Sequence, residues 1–316
     1  MQVVLKGVEM RLAKFKGPKD LAKTFSKEVS LELFRRICLC RNFELNVKRA
    51  ISGKKIPRIF TYLSLGQESA TSAISLSFPD TMTWPSFVPR FGQHRCHDLY
   101  LCYGASPEKL RDELLGLPIG CAGGMGGSAS IHSPETGMFG HDGHMGTQVK
   151  IGVGYALGSG LKTLIVMGDA SAEEGYVLGA LGEAASKKAP TLFVCMDNNL
   201  SILTEVKVRR SWTMSDEAKA KGMPAYDVPD DPWFIMDCVT KLKDKLPAFL
   251  NIHYCRELWH EGPGCDGPPE WNRYELVKTQ LIFLGLKSEV EMIENSTAHY
   301  IENLWEDVLS PIKERV

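Results

Sequence analysis

The chain has 316 residues, 44% hydrophobic and 24% charged, and carries a net charge of -1. This is the composition of a globular protein with a large core, without the basic excess that would point to nucleic acid. No apolar run approaches the ~20 residues of a membrane-spanning helix, so the reading is no membrane and no nucleic acid among the partners.

Nine cysteines, an odd number scattered without a Cys-x-x-Cys pair, suit a reducing compartment better than a disulfide framework. Cys38 and Cys40 lie two apart on a predicted helix and face different sides, which argues against a metal there. The first residues lack the apolar core of a secretory signal, and Glu9 and Asp20 disfavour a transit peptide, so the expectation is cytoplasmic. The expected organisation is an arm at 1–29, set off by Gly17-Pro18, then one α/β domain over 30–316 with helical extensions at both ends.

From Ser30, read as a cap, the residues Leu31, Phe34, Ile37, Cys38 and Phe43 recur at helical spacing and predict a helix to Ser52-Gly53. Tyr62-Leu63-Ser64-Leu65-Gly66-Gln67-Glu68 then leads into a helix at 69–76. In Gln93-His94-Arg95-Cys96-His97-Asp98, Arg95 is either a clamp on a diphosphate, since a guanidinium donates two parallel bonds, or a surface salt-bridge arginine. His94, Cys96 and His97 lack a fourth ligand at metal-finger spacing and read as core or supporting residues. A helix over GASPEKLRDELLG precedes the glycine-rich stretch from Gly120 to Ser128.

Gly140-His141-Asp142-Gly143-His144-Met145-Gly146 opens a helix containing Gly152, Gly154, Ala156 and Gly158. Each interior glycine costs about 1 kcal/mol relative to alanine. The run therefore implies close approach of backbone or ligand. Met145 alone reads equally well as core.

The most informative stretch follows. The apolar run 164–167 reads as a buried strand broken by Gly168-Asp169-Ala170-Ser171. A helix comes next, with Glu173 and Glu174 in its first turn and Val177, Leu178, Leu181, Ala184 and Ala185 on one face, closed by Pro190. A second strand, 191–196, delivers Asp197-Asn198-Asn199-Leu200. Polar residues thus stand at the carboxyl ends of both strands of a β-α-β unit, where open parallel sheets hold ligands. The amides of Ala170 and Ser171 can hold phosphate oxygens. The Asp169 carboxylate, the Asn198 side-chain oxygen and the Leu200 carbonyl supply three hard oxygens for Mg2+; the plain alternative is an ordinary turn and an ordinary loop.

Beyond these come a basic connection at 204–221 with Lys207, Arg209 and Arg210, a buried strand at 249–254, the loop Arg256-Glu257-Leu258-Trp259-His260-Glu261-Gly262, and two helices at 274–284 and 288–309.

The Gly168-Asp169-Ala170 turn followed one β-α unit later by Asn198-Asn199 resembles the thiamine-diphosphate signature. Together with Gly66-Gln67-Glu68, His94-Arg95-Cys96-His97 and the Gly120–Ser128 loop, the chain resembles, over about 30–309, the α subunit of the two-subunit decarboxylating 2-oxo acid dehydrogenases. The resemblance implies an α/β thiamine-diphosphate-binding fold, a mostly parallel sheet with helices on both faces. It also implies thiamine diphosphate and Mg2+ as cofactors, with Gly168, Asp169, Ala170, Ser171 and Asn198 at the diphosphate and metal, and Arg95 as its clamp. Backbone groups of Gly143 and Met145 would cradle the aminopyrimidine, with the Met145 side chain bending the cofactor. His97 would lie near the phosphates, and His260 would touch the diphosphate and help receive the acyl group; both are expected catalytic residues.

The resemblance further implies a separate β subunit that supplies the carboxylate facing the aminopyrimidine, in an α2β2 heterotetramer, and a lipoyl-bearing transacylase as acceptor. Ser130 and the sequence after His260 depart from the family pattern, which keeps open a non-oxidative acyl or aldehyde transferase, a split transketolase half being a weaker variant. A non-catalytic scaffold is the third reading, disfavoured by the joint presence of Asp169, Asn198, Arg95 and the glycine loops.

Overall fold

The computed structural model describes residues 20–57, 60–79, 88–265 and 267–310. Its strands, in chain order, are β1 (Arg90–Phe91), β2 (Met138–Phe139), β3 (Thr163–Gly168), β4 (Thr191–Asp197), β5 (Leu200–Ser201), β6 (Thr204–Glu205), β7 (Ala225–Pro229) and β8 (Ala248–His253). Strands β5 and β6 form a small antiparallel hairpin, and the other six make one parallel sheet in the order β2-β1-β3-β4-β8-β7. The central strands β3 and β4 pair from Thr163↔Thr191 to Gly168↔Met196. Between their ends both are apolar, at 164–167 and 192–196, because both faces of the sheet are covered, as a parallel sheet requires.

Alternation along the strands sorts their side chains into two cores. Leu164, Val166, Leu192, Val194, Met196, Leu250 and Ile252 face one core, which is completed by helices Lys27–Ser52, Glu68–Ser77 and Pro232–Leu242. Ile165, Met167, Phe193, Cys195 and Phe249 face the other, against Val149 and Val153 of helix Thr147–Ser159 and Val177, Leu181 and Ala184 of helix Gly175–Lys187. A fully buried Leu, Ile or Phe contributes about 1.5–3 kcal/mol, so the two layers supply most of the driving force. Helix Lys287–Leu309 closes over Lys27–Ser52, where Trp305 meets Phe43 edge to face at 5.7 Å. Among the described residues no helix is long and apolar enough to cross a membrane.

Several expectations shift. The first long helix starts at Lys27, capped by Ser26, whose hydroxyl accepts from the Val29 amide at 3.3 Å. Ser30, expected as the cap, is buried inside the helix and accepts from Trp233 Nε1 at 3.2 Å. Glu173 and Glu174 precede their helix: Ser171–Glu173 is a 3-10 turn and Glu174 is the N-cap of Gly175–Lys187. Helices 69–76, 274–284 and 288–309 are found within a residue or so as Glu68–Ser77, Arg273–Phe283 and Lys287–Leu309. Of the glycines in Thr147–Ser159, Gly152 is the tight one, since an added Cβ would lie 2.8 Å from Ile165; Gly154 and Gly158 have open space.

The glycine-rich loop folds around a single carboxylate. Fully buried Glu113 accepts from the amides of Ala122 (2.7 Å), Gly124 (2.8 Å), Gly126 (2.8 Å) and Gly127 (2.9 Å). Removing it leaves four amide donors unpaired at once, that of Gly127 buried and the others partly so. Glu113→Ala should therefore lose about 3 kcal/mol or more of unfolding free energy, read as a lowered denaturant midpoint at unchanged slope; a loss within experimental error would show that the loop holds its shape without the carboxylate.

Candidate active site

The carboxyl ends of β3 and β4 open into a cavity of ≈470 Å³. Its lining gathers Arg95, Gly143, Met145, Gly168, Asp169, Ala170, Ser171, Asn198, Leu200 and His260, residues drawn from five separate stretches of chain. Sheet register explains how the Asp169 and Asn198 segments meet. Because Gly168 pairs with Met196, the next residues of the two strands, Asp169 and Asp197, emerge side by side.

Asn198 is held in one orientation. Its amide nitrogen donates to the Tyr254 hydroxyl at 2.9 Å and its oxygen accepts from the Leu200 amide at 3.0 Å. Burial raises the Tyr254 phenol to about 12, so it stays protonated. The Asp169 carboxylate, Asn198 oxygen and Leu200 carbonyl are hard oxygens of the kind Mg2+ takes, and all three residues line the same cavity. In kind, the donors fit a hard divalent cation. Among the described residues there is no cluster of three His, Cys, Asp or Glu suited to another metal.

Arg95 is buried in the cavity wall, its guanidinium donating to the carbonyls of Leu63 and of His260, the latter at 2.7 Å. Burial pulls its pKa down. A surface salt-bridge arginine is thereby excluded, since the side chain is 3% exposed. The sharp turn before Gln67 keeps this wall closed: Gly66 has φ 103°, and a Cβ there would sit 2.1 Å from the Cys255 carbonyl oxygen.

His97 does not line the cavity. It is wholly buried, with Nδ1 2.8 Å from Glu44 Oε1 and Nε2 2.8 Å from the Ser128 hydroxyl, which in turn accepts from the Tyr62 amide at 2.8 Å. The expectation that His97 acts in catalysis is corrected on this geometry. The residue braces Tyr62 from behind.

Sequence reasoning missed part of the wall. Tyr62, His94, His141 and His260 form a run of rings, with centroids 4.6 Å apart for Tyr62–His94, 5.4 Å for Tyr62–His260, 5.5 Å for His94–His260 and 6.2 Å for His94–His141. Burial, then the Arg95 charge, holds His94 well below the usual imidazole range, and burial lowers His141. Both are neutral at physiological pH. The local signal is present, since His94 and His141 stand inside the polar stretches 93–98 and 140–146, but only the fold brings them together.

The basic connection at 204–221 folds back onto the strand ends, where Arg209 pairs with Asp169 and Arg210 bonds the Asp169 carbonyl at 3.0 Å. Burial and the neighbouring Asp197 charge raise Asp169 to about 6, opposed by Arg209.

The chain matches, over residues 35–243, the family described as Dehydrogenase E1 component. The pyruvate dehydrogenase E1 component subunit alpha of Rhizobium meliloti (strain 1021) is 29% identical over 311 residues, 92% of this chain and 83% of that protein. The mitochondrial pyruvate dehydrogenase E1 component subunit alpha of Saccharomyces cerevisiae is 29% identical over 207 residues, 64% of this chain and 47% of that protein. The Rhizobium protein apart, the chain spans about half the length of the curated relatives it matches. In fold it is similar to transketolase from Leishmania mexicana, with a TM-score of 0.55 over 89% of this chain and 46% of that one at 14% identity.

One buried acid behind Arg95 gives a pH signature. Asp98 accepts from Gln67 at 3.0 Å and Thr71 at 2.5 Å, yet burial raises it to about 6. A raised carboxyl pKa means the folded state holds the proton more tightly, so this group lowers stability as pH climbs from about 4 to about 6. Asp98→Asn should remove that slope: between pH 4 and 7 the difference in unfolding free energy should move toward the variant by up to about 3 kcal/mol. Parallel pH profiles of the two proteins would contradict this.

Proposed function

The chain belongs to the dehydrogenase E1 component family, and from that membership and the make-up of the cavity we propose that it is the α subunit of a thiamine-diphosphate- and Mg2+-dependent enzyme that decarboxylates a 2-oxo acid and passes on the acyl unit. The observation that carries the reading is the single cavity at the carboxyl ends of β3 and β4, which combines hard oxygen donors with a buried guanidinium.

Thiamine diphosphate, when bound, supplies the electron sink for loss of carbon dioxide. The chain's own residues bind and orient. Asp169, Asn198 and the Leu200 carbonyl would hold the Mg2+, while Arg95 and the amides of Ala170 and Ser171 would meet the diphosphate oxygens. Gly143 and Met145 would receive the aminopyrimidine; Gly143 has φ 98° and open space beside its Cα, and Met145 is 39% exposed. His260, flanked by Tyr62 and His94, would face the diphosphate and the transferred acyl group, and the neutral His94 and His141 offer N–H donors without adding positive charge. The carboxylate that faces the aminopyrimidine would come from a β subunit, with the assembly an α2β2 heterotetramer and a lipoyl-bearing transacylase receiving the acyl group.

Two measurements test this reading. Mg2+ with thiamine diphosphate should raise the melting temperature of the assembly purified through this chain, and Asp169→Ala should abolish that rise while leaving the far-ultraviolet circular dichroism unchanged. Equal cofactor affinity in the variant would overturn the metal assignment. Native mass spectrometry in Mg2+ should give an α2β2 mass with two bound cofactors; a lone, cofactor-free chain would contradict the shared site.

A further inference from the structure

Three acids converge where β3 and β4 end: Asp169, Asp197 and Glu173 of the turn that follows β3. Two arginines of the segment 199–213 answer them. Arg209 pairs with Asp169 Oδ2, approaches Glu173 Oε1 at 3.1 Å, and donates from its other terminal nitrogen to the Thr204 carbonyl at 3.2 Å. Arg210 donates to the Asp169 carbonyl at 3.0 Å, pairs with Glu173, lies 3.8 Å from Asp197 and rests against the Trp212 ring at 5.4 Å. The Arg210 side chain is 3% exposed and that of Arg209 13%, so these are not surface ion pairs.

The direction of the grip matters. Asp169 lines the cavity, and neither arginine does. Arg209 holds Asp169 by Oδ2 and Arg210 by its backbone carbonyl, so neither guanidinium contacts Oδ1. Three carboxylates against two guanidinium groups leave one negative charge. A further cation at Asp169 is therefore electrostatically welcome, and the arginines need not leave to admit it.

We propose that Arg209 and Arg210 are positioning residues for the divalent cation: they fix Asp169 in its orientation and tie segment 199–213 to it, so that cation affinity and order in the segment rise and fall together. This rests on the assignment of Asp169 as a cation ligand. Residues that orient a metal ligand from behind typically change metal affinity about 10- to 100-fold when removed. The opposite arrangement, in which Arg209 takes the place of the cation, predicts the opposite sign, because deleting a competitor tightens binding.

The test uses Mn2+ as the probe, with thiamine diphosphate present, on the assembly purified through this chain, free Mn2+ being read by electron paramagnetic resonance. Arg209→Ala should weaken Mn2+ binding about tenfold or more, and Arg209→Lys, which keeps the charge and loses the fork, should recover part of it. Without any cation, hydrogen exchange at amides 199–213 should be faster in Arg209→Ala than in the wild type. Should Arg209→Ala fail to fold, Arg210→Lys gives the same comparison in milder form. Equal or tighter Mn2+ binding in variants of a wild type that binds it overturns the positioning role alone. A wild type that binds no Mn2+ overturns both that role and the assignment of Asp169.

Discussion

Everything at this site depends on one register. Parallel pairing of β3 with β4, ending at Gly168↔Met196, delivers two aspartates side by side at the carboxyl end of the two central strands. Two buried carboxylates so placed repel one another, and their charged forms are costly away from water. The chain answers with Arg209 and Arg210 and with the Asn251 amide, 3.3 Å from Asp197. Shifting either strand by one residue would turn its whole apolar set to the wrong face, so the two cores hold the register and the register holds the site.

The central β-α-β unit was legible because its signals are local. Strands of uninterrupted apolar residues, a helix with one apolar face and polar residues at both strand ends are properties of contiguous sequence, and Asp169, Asn198 and Leu200 do line one cavity. Strands β1 and β2 were not legible, being two residues long and recognisable only from their pairing with β3 and with each other. The cap of the first helix was misplaced by four residues because Ser26 and Ser30 are both plausible caps, and burial of Ser30 against Trp233 decided between them.

Two placements at the site share a cause. His97 sits two residues after Arg95 in a motif expected to reach the ligand, but the helix that starts there turns it inward to Glu44 and Ser128. Arg209 and Arg210 sit in a polar stretch that carries no local mark of its partners, and the segment folds back onto the acids at the strand ends. Local composition indicates what a side chain prefers, while long-range charge pairing determines where it ends up. A hint was available in Asp169 and Asp197, since paired acids at adjacent strand ends demand a counter-charge from somewhere.

The loop wrapped around Glu113 bears on how a ligand is oriented. Glycine-rich loops with free amides attract anions, but here the amides of Ala122, Gly124, Gly126 and Gly127 already face a carboxylate of the same chain. Ala129, just past that loop, is the residue of this stretch that lines the cavity. The cavity is therefore polarised, with anion-seeking groups concentrated around Arg95, Ala170 and Ser171. An elongated molecule bearing charge at one end has one favoured way of lying in it, and the reversed pose is discouraged without any steric gate.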